Sequence, residues 1–443
     1  MVKFIKELGI ESKSLLDIRK SPFVRNVTTV ASGTAIAQGI TVAFSPLITR
    51  IYGAEAFGLL GTFTALVAVI SPVAALTYPI AIVLPKNDSD ARNIGRLCIY
   101  IGLCIAATVT LIILIAKDWI VNVLQIQEIS AFIILIPLVI IFSAWLQVNQ
   151  QWTIRKQLFK IKAKAEAFKA IIVNIAKTLI GLFYPLGAIL IIISTLGHII
   201  HAILIKVGLR NKSAIEEDPN EKNPNTQLNL KEIAKKHYDF PLYRAPQVFI
   251  NAVSQNLPVL MLATFFGPAP AGFFTLGKRV LAMPSKLISQ SVGDVFYPKI
   301  TKAAHNKENL TKHILKATLG LAAVGFFPYA IIVVFGPWIF GFIFGSEWVA
   351  AGEYARWMAL WLFFMYLNNP SIRIAPVISA QGFLLSYSIF TTALRFIVLA
   401  IGYYIYNSDL IAIALFGISG AISNVILISI ILLKTKKYDV NNK

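Results

Sequence analysis

Charge is scarce in this chain, and negative charge most of all. Only 14% of its 443 residues are charged, 21 Asp and Glu against 41 Lys and Arg, where a soluble domain carries about a quarter. So little charge cannot clothe a water-facing surface, which excludes an ordinary soluble protein. Cysteine is nearly absent: Cys98 and Cys104 share one apolar run, where a helix points them in different directions. That excludes an internal disulfide, and both are expected to be buried. The first 24 residues mix acids and bases without a sustained apolar core, which excludes a cleavable signal peptide and fits an amphipathic helix on the inner leaflet. Also missing are GxSxG, a phosphate loop, a metal-ligand spacing and any nucleophile–base pair. No catalytic residue, metal or cofactor is expected.

What fills the chain is apolar: 57% hydrophobic, with mean hydropathy +0.71. A bilayer core of roughly 30 Å takes about 20 such residues as a helix. Twelve spans are predicted, near 26–49, 57–83, 95–116, 129–149, 166–184, 186–206, 241–265, 271–296, 313–335, 353–375, 383–405 and 409–433. The fold class is all-α integral membrane. Alternate connections hold the basic residues: the N-terminus, then Lys86, Arg92 and Arg96, then Arg155 to Lys164, the 207–240 loop, Lys299 to Lys312, and the tail. The intervening connections offer only Arg50 and Lys117. Basic loops resist translocation, so both termini are expected in the cytoplasm. The net charge of +20 is thereby explained without nucleic acid, whose binding needs one basic surface. Trp119, Trp145, Trp152, Trp338 and Trp348 fall near span ends and read as interfacial belts.

The polar segment between Ser213 and Asp239 divides the chain. The expected organisation is a cytoplasmic N-terminus (1–25), spans 1–6 (26–206), a cytoplasmic linker (207–240), spans 7–12 (241–433) and a cytoplasmic tail (434–443). The halves echo each other: Gly53 and Gly58 match Gly267 and Gly272, and Pro85-Lys86 matches Pro298-Lys299. Both copies enter the membrane from the same side, so the repeat is parallel and compatible with alternating access.

Polar residues at membrane depth are few, and most that can ionise are cations. The first span carries a stripe of Thr34, Gln38, Thr41 and Ser45; the fifth carries Asn174, Lys177 and Thr178. Arg244, Gln247, Asn251 and Gln255 share a face of the seventh span. Lys278, Arg279, Lys286 and Gln290 lie in the eighth, and Arg395 near the centre of the eleventh. Carboxylates are limited to Asp294, Glu353 and Glu166. Cations in a lumen imply an anionic substrate, because a counter-charge offsets their desolvation. Phosphate suits them: Arg binds it bidentately and Lys acts as a point charge. The competing account is that each cation snorkels to an interface or pairs structurally. It is the stronger one for Arg356 and Arg373, nearer the ends of the tenth span. Asp294 either anchors a helix end or carries protons, and His198 and His201, one turn apart, either relay protons or pack as polar groups.

The segments FFGPAPAGFFTLGKRVLAMPSKLISQSVGDVFYPK and FGSEWVAAGEYARWMALWLFFMYLNNPSIRIAPVISAQG resemble the O-antigen type polysaccharide repeat-unit flippases of the multidrug/oligosaccharidyl-lipid/polysaccharide exporter superfamily. The order of spans, the central linker and the repeat agree, over nearly the whole chain. The resemblance implies two six-helix bundles in a V-shaped transporter of the bacterial inner membrane. It implies transfer of an undecaprenyl-pyrophosphate-linked oligosaccharide from the cytoplasmic to the periplasmic leaflet, for O-antigen, capsule or exopolysaccharide, coupled to a proton or sodium gradient. Polymerase and glycosyltransferase partners are expected from the family. Lys278 and Arg279 stand where the family's LGKRVLAMP-like motif enters the eighth span. The substrate cavity is therefore expected to draw on Lys278, Arg279, Arg395, Lys177, Lys286, Arg244, Asn251, Gln255 and Gln38, with Asp294 and His198 as ion-coupling candidates. Two readings compete: a drug or cation exporter of the same fold, which wants buried carboxylates, and a membrane polymerase or ligase, which wants acid/base groups on larger outer loops.

Overall fold

The computed structural model describes residues 22–85, 87–124, 126–213, 230–282, 300, 303–304, 306–378 and 380–441. The described chain is helical almost throughout. α1 runs Pro22–Ile70, α2 Asp88–Leu124, α3 Leu135–Arg155, α4 Phe159–Gly181 and α5 Gly187–Ser213. A short α6, Leu230–Lys236, leads through a π-helical turn at Phe240–Arg244 into α7, Ala245–Phe266. Then come α8 (268–282), α9 Leu310–Phe344, α10 Val349–Leu367, α11 Gln381–Tyr404 and α12 Asp409–Asn441. In lipid a helix is the one open-ended element that satisfies its own backbone.

α1 is two helices joined at a kink, at Gly53 with φ 70°. Counting its two parts, and setting α6 aside, twelve long segments answer to the twelve predicted spans. Seven helical stretches among the described residues are long and apolar enough to cross a membrane on length and composition alone, one of them being the continuous 42-residue run Ser32–Val73. The second predicted span changes character halfway. Pro72 and Pro79 cannot donate to an α-ladder, and the chain continues as 3₁₀ turns at Ser71–Val73 and Tyr78–Val83.

Two compact units make up the chain. The first is Leu59–Asn256 together with the chain up to Tyr52; the second is Gly53–Gly58 together with the chain from Leu257. The first unit's core gathers Phe63, Tyr78, Ile82, Ile94, Cys98, Ile140 and Ala144, with Ile233 of α6 packed into it. On one edge Arg155 forms a clamp. Its Nε donates to Asp88 at 2.7 Å, and its terminal nitrogen donates to the carbonyls of Ile82 (3.0 Å) and Pro85 (2.6 Å). Lys156 adds a second ion pair to Asp88 at 2.5 Å. The basic cluster that orients the loop also closes it.

The second unit has a self-complementary contact. Gly53 and Gly267 both have positive φ, 70° and 89°, and each opens a helix. A Cβ on Gly58 would stand 1.8 Å from the Pro268 carbonyl oxygen, and one on Gly272 would stand 2.2 Å from the Ala54 carbonyl oxygen. Each copy's second glycine thus receives the other copy's helix start, as a local twofold requires. The first N–H of each helix needs different treatment. Ala54 donates its N–H to Glu347 Oε1 at 3.0 Å, whereas Pro268 has none to place.

Two expectations are corrected. Trp348 is no interfacial residue: it is 1% exposed and packs edge-on against Phe57 and Phe273. A tryptophan near a span end can turn inward when an adjoining helix offers aromatic neighbours. Trp119 and Trp338 are exposed. Cys98 is buried but Cys104 is exposed, because six residues is well short of two full helical turns.

Candidate functional site

In the first unit α4 is the polar helix. Its Asn174 donates to Thr41 at 3.3 Å and to the Ala170 carbonyl at 2.7 Å, while Glu166 accepts from Thr34 at 2.7 Å. Two members of the polar stripe on α1 are therefore bound to α4, and Ser45 is buried; Gln38 is half-buried. Lys177 is 6% exposed, and the Tyr52 hydroxyl donates to its backbone carbonyl at 2.8 Å. Gly181, one turn on, makes room for the Tyr52 ring. Across the α4–α5 seam, Lys177 and Lys169 lie within electrostatic reach of His198, and His201 is buried with its Nε2 unpartnered. Arg244 sits exposed at the end of the π-helical turn and Asn251 is exposed on α7, with Gln255 half-buried one turn further.

In the second unit Lys278 and Arg395 lie within electrostatic reach of each other. Lys278, on α8, is half-buried and feels the charge of Arg395 on α11. Arg279, its chain neighbour, points differently and is exposed. Arg395 sits about 21 Å along a helix about 36 Å long, deep in the span. Its guanidinium lies 5.3 Å from the ring centre of Trp361 and 5.9 Å from that of Phe416. At those distances the rings attract the guanidinium through its charge, and its N–H groups are the part that hydrogen-bonds. A Lys and an Arg at membrane depth are both donors of the kind that oxyanions accept. Lys286 and Asp294 lie outside the described residues.

Arg356 of this unit has structural partners. It pairs with Glu353 at 3.2 Å and donates to the Val334 carbonyl at 3.0 Å. Arg373 is exposed at the end of a short helical turn. The aromatic shelf under Arg395 was invisible to a search of polar residues, because Trp361 and Phe416 are apolar core by every sequence criterion. Among the described residues, no group of three or more His, Cys, Asp or Glu stands where it could hold a metal ion.

The fold is shared with known transporters. The chain is similar to an inward-facing multidrug resistance MATE family transporter of the MOP superfamily, with 13% identity over 98% of each chain and a TM-score of 0.62. It is similar to the lipid II flippase MurJ in an inward closed conformation, with 13% identity over 93% of this chain and 90% of that one, and a TM-score of 0.69. A third likeness is to a MOP superfamily transporter from Pyrococcus furiosus Vc1, described as having a binding pocket of reverse polarity. Its identity is 11%, its coverage 93% of this chain and 95% of that one, and its TM-score 0.59. No curated protein matches the chain by sequence. These likenesses place the fold among multidrug/oligosaccharidyl-lipid/polysaccharide exporters. The model of the polysaccharide biosynthesis protein family matches residues 30–353, and the chain belongs to that family.

Proposed function

We propose that the protein is an alternating-access flippase that moves a polyprenyl-diphosphate-linked oligosaccharide from the cytoplasmic to the periplasmic leaflet of a bacterial inner membrane. The observation that carries this reading is Arg395, held over the Trp361 and Phe416 rings at membrane depth, with Lys278 within reach of its charge. The family concerns polysaccharide synthesis, the fold is one that flips lipid II in MurJ, and two cations fit the diphosphate that joins lipid to sugar. The lipid tail stays in the bilayer while the head group and sugars enter the lumen. Within the first unit, Lys177, Gln38, Arg244, Asn251 and Gln255 are the candidate polar contacts for substrate. His198 and His201, beside Lys169 and Lys177, are the groups that would answer to a proton gradient.

Ala replacement of Lys278 or Arg395 is expected to lower surface polysaccharide about tenfold or more, the worth of one charge-assisted hydrogen bond, with unchanged protein in the membrane. Full export by both variants would refute the site. Efflux of cationic dyes by the wild-type protein would instead favour the drug-exporter reading, and polymer made by the purified protein the enzyme reading.

A further inference from the structure

Arg395 does not stand alone on its helix. Below its guanidinium, Trp361 of α10 and Phe416 of α12 meet edge to face, with centres 4.9 Å apart and planes at 72°. Both are essentially sealed from outside, at 1% and 0% exposure. The shelf is held from behind by glycine. A Cβ on Gly420 would lie 2.6 Å from Trp361 Cδ1, and one on Gly417 would lie 2.4 Å from the Trp357 carbonyl oxygen. So α12 can lie close against α10 only because these two positions carry no side chain, and the closeness fixes the Trp361 ring.

The choice of ring is informative. The Trp361 Nε1 is buried and has no hydrogen-bond acceptor, a state that costs free energy a phenylalanine there would avoid. What tryptophan offers in return is the strongest aromatic face for a cation. A lysine in place of Arg395 would lack the planar group that stacks and the fork that meets two oxygens at once.

We infer that Trp361, with Phe416 behind it, is a positioning residue for Arg395: it fixes the guanidinium plane so that its edge meets the oxygens of a phosphoanhydride. The inference rests on the diphosphate reading above and adds to it an aromatic residue that polarity alone does not single out. It also makes the site selective for a ligand offering two coplanar oxygens over one offering a lone point charge.

The test uses full-length protein in nanodiscs, titrated with farnesyl diphosphate as a lipid diphosphate and with inorganic pyrophosphate as the free anion. Thermal stability is read in parallel. R395A should weaken binding about tenfold or more. W361L should weaken it about fivefold, the scale of one cation–π contact, and W361F by less, in the order Trp, Phe, Leu. W361F should be at least as thermally stable as wild type, so that affinity and stability move in opposite directions. The double variant W361L/R395A should bind no worse than R395A, because the shelf acts only through the arginine. R395K should bind about as poorly as R395A.

Additive losses in the double variant, or full affinity in W361L while R395A is impaired, would overturn the shelf and leave the diphosphate site standing. Full affinity in R395A would overturn the diphosphate site itself, and the shelf with it. Equal losses for both probes place the recognised group in the diphosphate alone; a loss confined to farnesyl diphosphate places it in the lipid-linked head group. Either pattern supports the shelf when the double variant is non-additive.

Discussion

Single residues in this protein often serve two ends at once. Arg155 belongs to the basic clusters that orient the chain, and it also holds Asp88 and two carbonyls across the loop between α1 and α2. Its side chain is only 10% exposed and that of Asp88 17%, so removing one partner strands the other. R155A is expected to destabilise the first unit by about 2–3 kcal/mol, and R155K to recover only part of that, since an ammonium cannot replicate the fork. Thermal unfolding in detergent checks both. Asp439 makes the corresponding point in the second unit. Its carboxylate accepts from the N–H groups of Leu310 (3.1 Å) and Thr311 (2.9 Å) and from the Thr311 hydroxyl (2.7 Å). It thereby caps α9 from the far end of α12. D439A should cost about 1–2 kcal/mol, visible as faster amide exchange in the first turn of α9. Neither role was legible in the sequence, which shows that Arg155 is basic and Asp439 acidic but not which distant backbone each one reaches. Lys278 and Arg395 were legible as functional candidates because a cation in a span is costly enough to call for an explanation. Trp361 and Phe416 were not, because an aromatic in a span calls for none.

At the scale of elements, the spans were readable and their interiors less so. Run length and hydropathy located eleven of them and the start of the eighth, whose remainder lies outside the described residues, since both follow from bilayer thickness. Prolines marked the change to 3₁₀ turns after α1, though not its form. The matched glycines were readable as a repeat, and the structure gives their physical reason: each has to admit a backbone carbonyl. G58A and G272A should each destabilise the second unit by about 1–3 kcal/mol through overpacking, and G39A, where a Cβ would meet nothing within 4 Å, should not. The short helix α6 is tied down by Ile233, by the Tyr78 hydroxyl donating to the Ala234 carbonyl at 3.1 Å, and by His237 edge-on to Phe240. Burial, helped by Lys236, holds the His237 imidazole below its ordinary value of 6.5. A base whose pKa falls on folding takes up protons more readily when unfolded, so the anchor is intact above pH about 6.5 and weakens as pH falls below it. Protection factors across residues 230–240, taken relative to the intrinsic exchange rate at each pH, should therefore fall between pH 7.5 and 5.5, and H237Q should flatten that dependence.

For the whole molecule, the alternation of basic loops remains the main guide to orientation. Reporter fusions to either end should be active only in the cytoplasm, as the excess of Lys and Arg on that side requires. The distribution of charge also separates two populations that composition alone merges. Those at loop edges are the ones expected to resist translocation; of those within the spans, Arg356 pairs with Glu353, and Lys278 and Arg395 are the ones we propose to meet a ligand.

The paired glycines carry one consequence for symmetry. Gly58 meets residue 268 and Gly272 meets residue 54, so each copy of the motif presents the same small patch to the other. That is the geometry of an isologous contact. It is broken at the first helical N–H, which Ala54 gives to Glu347 and Pro268 does not have.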